Sequence, residues 1–367
     1  MNAHRYFLVV SLACSWAIRG FTLDVGGIAP ELSGTAPGLP AAQADLDLKF
    51  SDILTDIGGE ISNIDPKPWK VMRGFADASV FAGTGASQRA YEGYEYFAFT
   101  IGSLIGVRLS SSNLNFMDEF SGLNDTLQEK GDIDAGLNVQ ALTGQLGINT
   151  SAFLLKNLYL GLRFGYFDLN AIDNFTFRAF SAGVTGNYQL VQGADLVPDR
   201  VSWRGVGLGL GFIFQQTHIE YSYALNSYEK SFTGTGIGGT VRVSPELIFD
   251  MKINTLVIPL EINTALQVWF VNINFGLGTD LAFGRNSMNI EMEGAIDTGI
   301  WGNDFFVAAP GSLSLNAGGS SIPTTVNPKL TLGLGFKFGP VVLDIPFTYF
   351  FLTGYGIFLG VSLGVVL

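Results

Sequence analysis

The sequence has 367 residues, a net charge of −12, 14% charged residues, 47 glycines and 30 phenylalanines. A soluble domain carries about a quarter charged residues, so an ordinary solvated surface does not fit, and the negative balance excludes nucleic acid, which needs basic surface. Mean hydropathy is only +0.32, the middle value that strands produce when every second side chain is apolar.

The amino terminus reads as an export signal. His4 and Arg5 precede an apolar run from Tyr6 to Ala13, and Ser15-Trp16-Ala17 puts small residues at the third and last positions before a cut after Ala17, the pattern of a cleaved signal peptide over residues 1–17. The single cysteine, Cys14, follows Ser11-Leu12-Ala13, so a loose lipobox with acylation at Cys14 is the competing reading. Neither reading allows a disulfide.

Residues 18–70 form an N-terminal segment, a first strand plus a plug lying in or under a barrel, with a periplasmic tail as the alternative for 28–70. Phe21–Val25 alternates apolar with polar, Gly26–Gln43 is rich in Gly, Pro and Ala, and Leu46, Leu48 and Phe50 alternate again. Ser51 caps a short helix over Asp52–Ile57, which Gly58-Gly59 stops.

From residue 71 to 367 the pattern is that of strands. Candidates are Val71–Ala82, Tyr96–Leu109, Leu137–Phe153, Leu158–Leu169, Phe175–Val191, Ser202–Phe214, Thr217–Leu225, Val241–Phe249, Leu256–Ile262 and Val268–Phe283. In Arg204–Phe214 the apolar Val206, Leu208, Leu210, Phe212 and Phe214 alternate with Gly205, Gly207, Gly209 and Gly211, and a face of glycine implies that another segment approaches closely. Between Ser110 and Gly136, Phe116, Phe120, Leu123 and Leu127 mark a short amphipathic helix in an external loop. Gly299–Asn327, rich in Gly, Ser, Asn and Ala, reads as a flexible exposed loop.

The last forty residues are the clearest. Leu330, Leu332, Leu334, Phe336 and Phe338 alternate with Lys329, Thr331, Gly333, Gly335 and Lys337, and the pattern restarts after Gly339-Pro340 and again after Thr353-Gly354. About ten residues per strand is what a tilted membrane strand needs. An apolar outside over a polar, glycine-rich inside makes the fold all-β: a transmembrane antiparallel β-barrel of about fourteen strands (12–16), with short helices in the N-terminal segment and one external loop. A membrane helix over Tyr349–Leu367, with Gly356, Gly360 and Gly364 at four-residue spacing, is the rival for that stretch. Tyr94, Tyr96, Tyr159, Tyr166, Trp203, Tyr221, Tyr223, Trp269, Tyr349 and Tyr355 are candidates for interfacial girdles.

Loop lengths orient such a barrel. With Gly339-Pro340 on the periplasmic side, Asn263–Gln267 and Lys156-Asn157 fall there too and are short, whereas Ser110–Gly136 and Gly284–Asn327 fall outside and are long. Asn226–Gly239 is long and falls on the wrong side, which points to a miscounted strand.

Alternation assigns Arg108, Arg163, Arg178, Arg204, His218, Glu220, Lys329, Lys337 and Asp344 to the lumen. His218, Glu220 and Ser222 share a face, yet residues 218 and 222 are about 13 Å apart along one strand, too far for a catalytic pair. One histidine beyond the signal segment leaves too few ligands for zinc. The expectation is no enzyme, no catalytic set, no metal and no cofactor.

Ile258-Pro-Leu-Glu-Ile-Asn-Thr-Ala-Leu with Asn272-Ile-Asn-Phe-Gly-Leu-Gly-Thr-Asp-Leu, and Leu343-Asp-Ile-Pro-Phe-Thr-Tyr-Phe-Phe with Gly354-Tyr-Gly and the terminal strand, resemble bacterial outer-membrane barrels, specifically those of spirochaetes. The plugged N-terminal layout is distantly similar to porins and long-chain fatty-acid transport barrels. The resemblance implies residence in outer-membrane lipid, insertion by the barrel-assembly machinery, and a channel or uptake role for small or hydrophobic solutes. The alternative is a structural or adhesive surface protein that binds partners through long loops. Such barrels usually end in an aromatic residue, and Leu367 departs from that.

Overall fold

The structure, a computed structural model, describes residues 25–63, 68–83, 85, 96–109, 136–152, 154–172, 174–198, 200–302, 304–352 and 354–367. The signal segment with Cys14, the start of Phe21–Val25, Tyr94 and the Phe116–Lys130 helix lie outside the described residues.

Two short strands, β1 (Val25–Ile28) and β2 (Glu31–Gly34), precede helices α1 (Leu39–Asn63) and α2 (Pro68–Ala82). Then follow β3 (Phe97–Leu109), β4 (Gly136–Asn149), β5 (Leu158–Ile172), β6 (Phe175–Val197), β7 (Val201–Ala224) and β8 (Tyr228–Gly234). The chain continues through β9 (Ile237–Val268), β10 (Val271–Trp301), β11 (Phe305–Ala309), β12 (Ser312–Ser321), β13 (Val326–Phe338), β14 (Val341–Leu352) and β15 (Gly354–Val366). These fifteen strands among the described residues fall within the expected range. Ten of them, β3 to β7, β9, β10 and β13 to β15, close into an antiparallel ring, because β10 pairs with β9 on one side and with β13 on the other. The terminal stretch is the strand pair β14–β15, so the rival membrane helix is not formed.

Leu208, Leu210, Phe212 and Phe214 on β7, Leu260 and Ile262 on β9, and Leu332 and Leu334 on β13 are exposed on the outer face. Their opposite-parity neighbours, among them Thr331, Lys329, Glu261, Asn263 and Asp344, are buried inside. A ring with an apolar outside and a polar inside is a transmembrane β-barrel.

The long strands carry that wall past the membrane. At about 3.3 Å per residue, the 32 residues of β9 run for about 105 Å, far beyond the ~25 Å apolar band of such barrels. Above Asn254 the polarity of β9 reverses: Val241, Val243, Leu247, Met251 and Ile253 are buried inside, and Arg242 and Lys252 face out. β10 does the same, with Phe283 outward below and Met288, Ile290 and Met292 inward above. The extension of β5, β6, β7, β9 and β10, joined by β8, β12 and β1, is a half-shell with a core of its own.

α1 fills that half-shell. Ala42, Leu46, Phe50, Ile53, Ile57 and Ile61 recur at three- and four-residue spacing and are all buried in the upper core with Phe232, Val243 and Leu247. Burying each Leu, Ile or Phe contributes about 1.5–3 kcal/mol. Pro40 sits in the first turn, where a missing N–H costs nothing. The expected strand at Leu46–Phe50 is therefore helix: Leu48, which created the alternation, is 65% exposed. Gly58-Gly59 does not end α1, since both face open space and Ile61 beyond them is anchored in the core.

Val71–Ala82 is likewise helix, and the wall begins at Phe97, not at residue 71. α2 lies inside the ring, touching β3, β4, β7, β9, β10 and β15. A segment enclosed by a closed wall finds no free strand edge, so only a helix satisfies its backbone groups internally. Small residues admit it. A Cβ at Gly106 or Gly136 would meet the backbone of Ala78 or Gly74 at 2.7 and 2.1 Å. The glycines of β7 serve a different neighbour: Gly207 makes room for Asn187 and Asn263.

Ser202–Phe214 with Thr217–Leu225, and Val241–Phe249 with Leu256–Ile262, are single strands, not pairs of strands. That correction moves Asn226–Gly239 to the long-connection end. Gly299–Asn327 is no flexible loop: β12 pairs with β10 and β1, and Leu315 and Ala317 are buried.

Candidate functional site

The lumen combines α2 with the polar inner face of the ring. Asp77 of α2 is wholly buried; its carboxylate accepts from Thr324 N (2.6 Å) and Thr324 Oγ1 (2.9 Å) and pairs with Arg108 of β3. Arg73 donates to the same Thr324 hydroxyl at 3.1 Å. Two residues on, Ser79 donates to Gln215 Oε1 at 3.0 Å. Both ends of the helix are apolar: Met72 and Ala76 pack into the upper core, and Phe81 stacks on Phe350 with ring centres 4.0 Å apart, beside Leu104, Ile213, Val257 and Phe358.

Below Ala82 a small open cleft is lined by Gly83, Gly85, Gln140, Gln145, Arg163 and Ser181, among others. Arg163 donates to Gly83 O at 3.4 Å, tying the end of α2 to β5. Across the lumen Lys329 pairs with Glu261 and, at 2.8 Å, with Asp280, all three buried. Glu261 and Asp280 come from the neighbouring strands β9 and β10, two residues apart in register and on the same face. Neither carboxylate stood out in the sequence, where each lay in a separate strand with nothing to mark the shared cation.

Of the residues assigned to the lumen by alternation, Arg108, Arg163, Lys329 and Asp344 lie buried inside. Arg204 bonds Gln267 at the short-turn end, and Lys337 sits near that end, opposite Val342. Arg178, His218 and Glu220 do not face the lumen. β7 runs unbroken through Gln215-Gln216, so His218 and Glu220 keep the outward parity of Phe212 and Phe214. Strand register sets Arg178 beside His218 and His218 beside Lys252, a polar ladder just above the apolar band. There Arg178 meets Asp168 at 3.3 Å, His218 meets Asp250 at 2.8 Å and Lys252 meets Asp250 at 2.6 Å. The acid beside His218 comes from the neighbouring strand, and no Ser–His–acid set forms with Glu220 and Ser222. Among the described residues no cluster of His, Cys, Asp or Glu is placed to hold a metal ion.

Aromatics border the band. Tyr96, Trp269, Phe270 and Phe338 are exposed at the short-turn end and Tyr166 at the other, whereas Tyr159 is buried inside. Beyond the band, Tyr228 on β8 hydrogen-bonds Glu60 of α1; burial first, then that carboxylate, push its phenol up to about 12.

No curated protein matches the sequence. Among solved structures, the translocator domain of autotransporter NalP from Neisseria meningitidis is 10% identical, covering 77% of this chain and 92% of that one at a TM-score of 0.30. The toluene transporter TodX of P. putida is 9% identical over 81% of this chain and 94% of that one (TM-score 0.23). A FadL homologue of Pseudomonas aeruginosa is 10% identical over 81% and 98% (TM-score 0.24). No helix among the described residues is long and apolar enough to cross a membrane. The Lsa36-like family model matches residues 39–365, and the chain belongs to the Lsa36-like family.

Proposed function

We propose that this Lsa36-like protein is an outer-membrane channel for small or hydrophobic solutes whose lumen is closed by α2. The observation that carries this reading is how the lumen is occupied. It holds one fifteen-residue helix, whose middle is joined to the wall by the Asp77–Arg108–Thr324 cluster and the Ser79–Gln215 bond and whose ends rest on two separate apolar clusters. For the helix to shift, Phe81 must part from Phe350 and its neighbours, and Met72 and Ala76 must leave the edge of the upper core. Outer-membrane lipid around the band and insertion by the barrel-assembly machinery belong to the same reading.

The described segment in the lumen is 72–83 with Gly85, beyond the 28–70 range that the sequence pattern marked, so deletion must reach residue 85. Planar-bilayer recording is expected to show low conductance for the intact protein and higher conductance for Asp77→Ala and for a 25–85 deletion. A deletion variant that keeps a heat-dependent gel shift and an unchanged conductance contradicts the proposal.

A second reading, a surface protein that binds a partner, is favoured by the half-shell, which projects a rigid, cored structure beyond the membrane band. Partner binding that survives in a non-conducting protein supports it.

A further inference from the structure

We infer that the chain passes its own residues 25–63 through the lumen of its own barrel and displays them on the outer side of the membrane. The inference rests on the barrel and its orientation, not on conduction.

Three positions along the chain carry it. Phe97, where the wall begins, lies at the short-turn end: the N–H groups of Tyr96 and Phe97 donate to Leu367 O at 2.7 and 3.0 Å, and the connections 150–157, 198–200, 269–270 and 339–340 share that end. Short connections mark the periplasmic side of such barrels. α1 is at the opposite end. Its Asp45 accepts from Thr233 N at 2.8 Å and its Asp56 meets Lys230 at 3.1 Å, both on β8. β8 pairs with β9 from Val243 upward, about 40 Å along the strand from Leu256, the top of the apolar band. Between the two ends, α2 occupies the lumen and delivers Gly85 to Arg163. The chain therefore crosses the membrane inside the wall.

Physical size sets how the crossing occurs. The ring holds a single helix, about 10 Å across, and cannot pass α1 already packed on β8 and β9. α1 takes its stability from that packing, as helices of globular proteins do. Residues 25–63 consequently cross unfolded and fold on the outer side, where burial of Leu46, Ile53 and Ile57 holds them. The polar, glycine-lined lumen gives an unfolded chain few apolar contacts to stick to.

The test is labelling of intact cells with a membrane-impermeant maleimide, scored above the background of the unaltered chain with its Cys14. Asp52→Cys and Leu48→Cys place thiols on the exposed side of α1, and Leu154→Cys places one at the short-turn end. The expected result is at least a fivefold increase over background for Asp52→Cys or Leu48→Cys on intact cells, and labelling of Leu154→Cys only after permeabilisation. Two α1 sites guard against one variant misfolding, which loss of the heat-dependent gel shift reveals. Labelling of folded Asp52→Cys and Leu48→Cys only after permeabilisation, or of Leu154→Cys on intact cells, overturns the inference.

Discussion

Below Asn254, β9 turns Leu256, Leu260 and Ile262 outward and keeps Glu261 and Asn263 inside; above it, the same strand turns Arg242 and Lys252 outward and keeps Val243, Leu247 and Ile253 inside. Backbone, hydrogen-bonding partner and register continue unchanged through the switch, with β10 alongside from Gly238↔Trp301 to Val268↔Val271. What changes is the solvent. Lipid outside rewards apolar side chains there and lets the interior be polar, whereas water outside reverses both preferences. The membrane boundary is thus written into one strand as a one-residue slip in hydrophobic phase.

The sharpest way to break the lower half is to remove the cation that its interior depends on. Lys329→Met leaves Glu261 and Asp280 buried without their shared partner, and losing one member of a buried ion pair costs about 3–5 kcal/mol. Urea unfolding from lipid vesicles should show that loss, and a change under 1 kcal/mol (~1, well below that range) would mean that the lumen is wet enough to solvate the carboxylates.

The outer faces give the next contrast. Ile262→Arg puts a charge on the lipid face near the middle of the band and should cost about 2–4 kcal/mol. Arg242→Leu, twenty residues up the same face of the same strand, should fall within about 0.5 kcal/mol, as for an ordinary surface site. Equal effects at both positions would erase the distinction between the halves.

The smallest effect concerns the seating of α1. Because folding raises the Tyr228 phenol from its ordinary value of 10.0 to about 12, the folded state favours the neutral form. The contribution is complete below pH 10, the unfolded value, and is lost as pH rises through about 12. Protease protection of α1 should weaken over that window, and Tyr228→Phe should flatten the dependence. A dependence that persists in Tyr228→Phe would assign it to another group.

The same phase slip explains what the sequence concealed. β13, β14 and β15 lie wholly within the band, keep one polarity from end to end, and were legible as barrel strands with Lys329 and Asp344 inward. In β7 the apolar set is even-numbered from Val206 to Phe214 and odd-numbered from Ile219 onward. In β9 it is odd-numbered up to Ile253 and even-numbered from Leu256. Under one assumed polarity each slip looks like a turn between two strands, and that put His218 and Glu220 on the wrong face. Arg178 was misplaced for the same reason, lying beyond the band where outward positions are polar. The helices were hidden differently. Leu46, Leu48 and Phe50 mimic a strand although only the first and last are buried, and Val71–Ala82 shows no single apolar face, because Met72, Ala76 and Phe81 meet apolar clusters while Asp77 and Ser79 meet polar groups of the wall. The pairing of Asp77 with Arg108 and Thr324 joins residues 247 positions apart, which no local pattern reports.

The most direct test of the account is the accessibility of spin labels placed one at a time at Arg242, Glu246, Asp250, Asn254, Ile258 and Ile262 of β9, with the protein in lipid vesicles. Collision with a water-soluble nickel complex is expected at the first three positions, collision with oxygen at the last two, and a crossover at Asn254. A single, unchanging accessibility along the strand would contradict it.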